Sequence, residues 1–121
     1  MTSSMVTLLI AFSLLLNGCI ANLFCKDEKI TDTASTDDQR IATVFVRDCG
    51  ATTGWNTQVA MRWKSSNPRP EDVVFVVEGK PDVQVKWLDD LTLSVTCNKC
   101  AEDHIYMRVT KLGKVSILFN Q

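Results

Sequence analysis

The chain has 121 residues, room for one domain. Its 13 Lys and Arg nearly balance its 14 Asp and Glu, leaving a net charge of −1. That balance excludes the strongly basic field by which proteins hold nucleic acid, and no such partner is expected. Hydrophobic residues make up 45% of the chain, enough for a modest core once the apolar N-terminus is set aside. Small domains have small stability margins, so covalent ties matter. The chain holds five cysteines, Cys19, Cys25, Cys49, Cys97 and Cys100, and an odd number in an exported protein asks which is spare.

Val6 to Leu16 is apolar apart from Thr7 and Ser13. These 11 residues suit the apolar region of a signal peptide and fall short of the ~20 that span a bilayer. The run ends in Leu16-Asn17-Gly18-Cys19, which resembles the bacterial lipoprotein box. The resemblance implies cleavage before Cys19, lipid on its thiol and a mature chain held at a membrane. Asn17 is uncommon at its place, and Met1 to Met5 lacks the usual Lys or Arg. An uncleaved anchor from Met5 to about Phe24 is one alternative, and an ordinary signal peptide another. Ile20, rather than Asp, follows Cys19; by resemblance to Gram-negative lipoproteins this implies sorting to the outer membrane, facing the periplasm. The expected organisation is a signal over 1–18, a polar tether over 19–40 and a folded domain over 41–121. The tether is rich in Asp, Thr, Ser and Lys and sustains no helical or strand period.

From Ile41 onward a period of two persists. Ile41, Thr43, Phe45 and Arg47 share one face, and Ala42, Val44 and Val46 the other. Val59, Met61 and Trp63 oppose Gln58, Arg62 and Lys64. Ser65 to Glu71, with two prolines, reads as a loop. Val73 to Val77 is almost wholly apolar, the pattern of a central strand buried on both faces. Gly79 to Asp82 is a turn. Val83, Val85 and Trp87 alternate, Asp89-Asp90 turns, and Leu91, Leu93 and Val95 alternate again. Cys97 to Asp103 is a loop. Ile105, Met107 and Val109 alternate, 111–114 turns, and Val115, Ile117 and Phe119 close the chain. No window sustains a helical period. The expected fold is all-β: an antiparallel meander of about seven strands forming a small sandwich or open barrel. Trp55, Trp63 and Trp87 are expected in the core or at its rim.

One stretch looks fixed by something besides packing: Asp48-Cys49-Gly50-Ala51-Thr52-Thr53-Gly54, between two strands. Gly50 and Gly54 can supply positive φ without strain. Thr52 and Thr53 hydroxyls can satisfy loose backbone groups, and Asp48 can accept N–H bonds from the turn. A self-bonded structural turn is the plainer reading. A candidate binding loop, with Asp48, Gly50, Thr52, Thr53 and Gly54 meeting a polar ligand, is the sharper one.

Arg47 to Gly54, followed by Asn56-Thr57-Gln58-Val59, resembles the signature of a family of small, uncharacterised, membrane-anchored bacterial proteins. The likeness extends over Cys25, Val44 to Thr53, Val73 to Gly79 and Val83 to Trp87. Its relatives often carry a Ser-Pro-Asp-Gly turn, degraded here at Ser35 to Asp38, and Cys97 to Cys100 has no counterpart. The resemblance implies fold and location, with no activity attached. If Cys19 carries lipid, four cysteines remain and allow three pairings. The family's two cysteines imply Cys25 with Cys49, which leaves Cys97 with Cys100. Disulfides at all four suit an oxidising compartment.

Cys97-Asn98-Lys99-Cys100 has C-x-x-C spacing, with His104 four residues on. A plain loop disulfide is the first reading. Redox catalysis wants that motif at a helix N-terminus, which is not expected here. A metal site would need a fourth ligand beside Cys97, Cys100 and His104, from Glu102 or Asp103. Elsewhere the adjacent acids Glu71-Asp72, Asp89-Asp90 and Glu102-Asp103 point to opposite strand faces and make poor acid–base pairs. No catalytic residue, cofactor or metal is therefore expected. The chain reads as a lipid-anchored envelope protein with a non-catalytic binding or structural role and an envelope protein as candidate partner. The alternatives are a metal- or thiol-active centre at Cys97, Cys100 and His104, or an inhibitor or immunity-type protein that pairs through an exposed strand edge.

Overall fold

Alternation builds the first sheet. In β2 (Arg40–Asp48), Ala42, Val44 and Val46 are buried, while Thr43, Phe45 and Arg47 fall on the opposite face. A computed structural model describes residues 25–50 and 54–121. The expected signal, Cys19 and the residues to position 24 lie outside the described residues, as do Thr52 and Thr53. β2 pairs antiparallel with β3 (Trp55–Trp63), from Arg40 opposite Trp63 to Asp48 opposite Trp55. β3 pairs with β4 (Val73–Glu78), whose other side takes β7 (Ile105–Arg108). Register shifts between Val59 and Ala60, so β4 holds an extra residue and the consecutive Val74 and Phe75 are both buried. This is the central strand the apolar run 73–77 implied.

The remaining strands form a second sheet. β5 (Val83–Asp89) pairs with β6 (Thr92–Cys97), and β6 runs parallel to β9 (Val115–Asn120), beside the two-residue β8 (Lys111–Leu112). The two sheets share one core, with Val44, Val59, Phe75 and Val77 from the first against Trp87, Leu93, Val95, Val115 and Ile117 from the second. Phe75 and Phe119 bridge the sheets with ring centroids 5.5 Å apart. The described residues form an all-β sandwich of two sheets, with five strands in one and four in the other.

Every expected strand is present, with three corrections. The polar tether is strand in part: β1 (Lys26–Ala34) pairs along β2, from Lys26 opposite Asp48 to Ala34 opposite Ile41. The folded domain therefore begins near Cys25. β1 is exposed along nearly all its length, so it shows no apolar period; backbone pairing holds it. The chain is also more than a meander. β7 returns to the first sheet and β9 to the second, giving the parallel pair. Third, Trp87 alone of the three tryptophans is buried, at 7% exposure, with its indole N–H donating to the Thr33 carbonyl at 2.9 Å. Trp55 and Trp63 are about half exposed, at 49% and 51%, one at each end of β3.

The two ends of the sandwich differ. One gathers the start of β1, the β2–β3 loop, the Gly79–Asp82 crossing between sheets and the loop after β6, where Asn98 donates to Asp82. Both disulfides sit there, Cys25–Cys49 and Cys97–Cys100. The other end is closed by hydrogen bonds. The Thr36 hydroxyl and the Asp37 N–H both donate to Asp90, joining the β1–β2 turn to the β5–β6 turn.

Candidate functional site

The loop after β2 is organised from within. Asp48 accepts the Gly50 N–H at 3.0 Å. That bond, then one from the Trp55 side chain, hold the Asp48 carboxyl below its ordinary value of 3.8. Gly50 and Gly54 take φ of +108° and +68°, the left-handed region glycine favours. Lys80 lies over the Trp55 ring, 3.8 Å from its centroid. The Cys25–Cys49 bond, with Cα atoms 3.8 Å apart, ties the start of β1 to this corner. The described part of the motif, Asp48, Gly50 and Gly54, thus serves the turn.

The C-x-x-C pair is a disulfide across the loop after β6, and Cys97 is 2% exposed among core residues. His104 faces Glu78 at 3.6 Å. The two sulfurs are bonded to each other, so in this state they offer no thiolate to a metal or a redox partner. Among the described residues no group of three or more His, Cys, Asp or Glu is placed to hold a metal ion.

A concavity of about 650 Å³ lies elsewhere, on the outer face of the five-stranded sheet. It is the face that β2 turns away from the core. Phe45, Ala60, Val73, Val76 and Met107 make its apolar floor, and Pro68 and Pro70 of the β3–β4 loop wall one side. The opposite rim is ionic. The Arg47 guanidinium donates two parallel bonds to Asp27, at 2.9 and 3.0 Å. Asp32 accepts from Lys29 at 2.9 Å and from the Thr43 hydroxyl at 2.6 Å. The Lys29 bond, then the Thr43 bond, hold the Asp32 carboxyl below its ordinary value. On the loop side, Arg62 donates to the carbonyls of Ser66, Trp63 and Lys64 at 3.0, 3.3 and 3.4 Å. Among the described residues Arg62 has no carboxylate within ion-pair distance. Arg69 stands beside the buried Asp72 at 3.5 Å. Asp27 and Asp32 are each paired with a cation, Arg47 and Lys29.

No family model, curated protein or solved structure matches this chain. Its likeness to known proteins adds nothing to the reading of the groove.

Motif-based reasoning missed this groove because it drew on residues far apart in sequence. Two signals were available: Phe45 sits out of phase with the buried Val44 and Val46, and β4 is apolar on both faces although only one faces the core.

Proposed function

We propose that this chain is a binding module of the bacterial envelope, tethered at a membrane by lipid on Cys19. In a Gram-negative host the tether would be in the outer membrane and the domain in the periplasm. The outer-face groove carries the proposal: an apolar floor left open beside an ionic rim. Two disulfides in so small a domain fit an oxidising compartment. The resemblance of 47–59 to membrane-anchored bacterial proteins points the same way.

The strand-pairing inhibitor is the weaker reading. Among the described residues β1 has an open edge, but that edge carries Lys26, Asp27, Glu28, Lys29 and Asp32, and such charge density deters added strands. Metabolic labelling with palmitate tests the tether. Label should enter the wild-type protein and vanish in Cys19→Ala, with the variant leaving the membrane fraction. Label retained in Cys19→Ala, or absent from wild type, would remove the lipid anchor.

A further inference from the structure

Resting on the reading of this domain as a binding module, we propose that the groove's occupant is a single-chain amphiphile, a hydrocarbon tail with a carboxylate or phosphate head. Three observations lead there.

The floor is built of Phe45, Val73, Val76 and Met107 with Ala60 between them, on strands paired with sheet neighbours. Those backbone groups are already bonded within the sheet, so a peptide lying across this face would find little to pair with. A hydrocarbon tail needs no hydrogen bonds and gains from leaving water. The groove crosses from β1 to β7, roughly 19 Å at the usual strand spacing. Its volume of about 650 Å³ lies within the range of small-ligand sites.

Charge points to the head. Four cations line the groove, and three of them are matched: Lys29 by Asp32, Arg47 by Asp27, and Arg69 by Asp72 and Glu71. The fourth, Arg62, is the cation that favours an anionic head.

Arg62 is the group placed to receive that head. Its NH1 already organises the loop through three carbonyls, which fixes the guanidinium at the groove. Among the described residues it is the lining cation with no carboxylate within ion-pair distance, although its charge still reaches Asp32. A planar guanidinium held this way has donors left for a carboxylate or phosphate.

The test is photo-crosslinking of the full-length protein in membranes with a diazirine-bearing dodecanoate, adducts being located by peptide mass spectrometry. Adducts should concentrate on peptides holding Phe45, Val73 to Val76 and Met107. Unlabelled dodecanoate or dodecyl phosphate should compete, and the better competitor identifies the head; dodecanol should compete poorly. Arg62→Gln should cut groove labelling about fivefold to tenfold, the loss of one charge-assisted contact. Val76→Asp should abolish it, and both variants should melt within a few degrees of wild type. Adducts spread evenly, or confined to residues before Cys25, would overturn the proposal. So would equal competition by dodecanol, or competition by an acidic peptide and by neither amphiphile. Palmitate labelling at Cys19 is read separately, so the tether can stand when the ligand falls, and the reverse.

Discussion

The Cys25–Cys49 bond makes a sharp quantitative prediction, because neither sulfur is part of the core. Cys25 is exposed and Cys49 half-buried, so replacing both by alanine removes a cross-link with little loss of packing. The two residues are 24 apart in sequence, closing a loop of about 25 residues. Loop closure at that length removes about 12 cal/mol/K from the unfolded chain, or about 3.5 kcal/mol at room temperature. For the described domain, the entropy of unfolding is about 0.2 kcal/mol/K near the midpoint, so the double variant should melt about 17 °C lower. The same reasoning gives only about 2 kcal/mol for Cys97–Cys100, which are 3 apart. Circular dichroism melts of oxidised wild type, Cys25→Ala/Cys49→Ala and Cys97→Ala/Cys100→Ala provide the readout. A fall below about 5 °C for the first variant would refute the reasoning, because the staple would then constrain a chain already held together when unfolded.

Phe75→Ala removes a side chain that is 1% exposed and meets Phe119 across the sheets. It should cost about 3–5 kcal/mol in urea unfolding, enough to leave a domain of this size barely folded. Gly54 sits at φ +68° with open space where a Cβ would go. Gly54→Ala should therefore cost only the backbone strain, about 1–2 kcal/mol by thermal melt, and Gly54→Asn less. Acid should weaken the fold through Asp48 and Asp32. Both carboxyls are held below 3.8, so their contribution is present above that value and fades as pH falls through the folded values. Urea midpoints should drop between about pH 5 and about pH 2, less steeply in Asp48→Asn. An identical slope in the variant would remove Asp48 from the account.

How far the sequence was legible depended on whether a residue's environment was local. Strands facing the core announce themselves: Ala42, Val44 and Val46 alternate because one face is dry. β1 was invisible because both its faces meet water; its partner is the β2 backbone, and backbone pairing leaves no trace in side-chain pattern. The parallel β6–β9 pair was equally hidden, since a strand's apolar face does not reveal which neighbour it takes. At the C-x-x-C the spacing left redox, metal and loop-disulfide readings open, and the family resemblance implied the Cys97–Cys100 pair that the structure has. At the groove, Phe45 and Met107 lie 62 positions apart in the numbering and share one face only after β7 crosses back. The central motif stood out because its turn is local, with Asp48 and Gly50 two residues apart.

The position of the first disulfide has a mechanical consequence. Any pull through the residues upstream arrives at Cys25, where β1 begins. Antiparallel strands loaded from one end part like a zipper, one bond pair after another, at low force. Lys26 opposite Asp48 would be the first pair to go, and the rest of an exposed nine-residue strand would follow. The sulfur bridge to Cys49 lies just ahead of that pair, so tension passes to the end of β2, a strand paired on both sides, before it reaches any β1 hydrogen bond. Reduction would reverse this: the domain would keep its core and lose its tolerance of load, peeling from the strand that borders the groove.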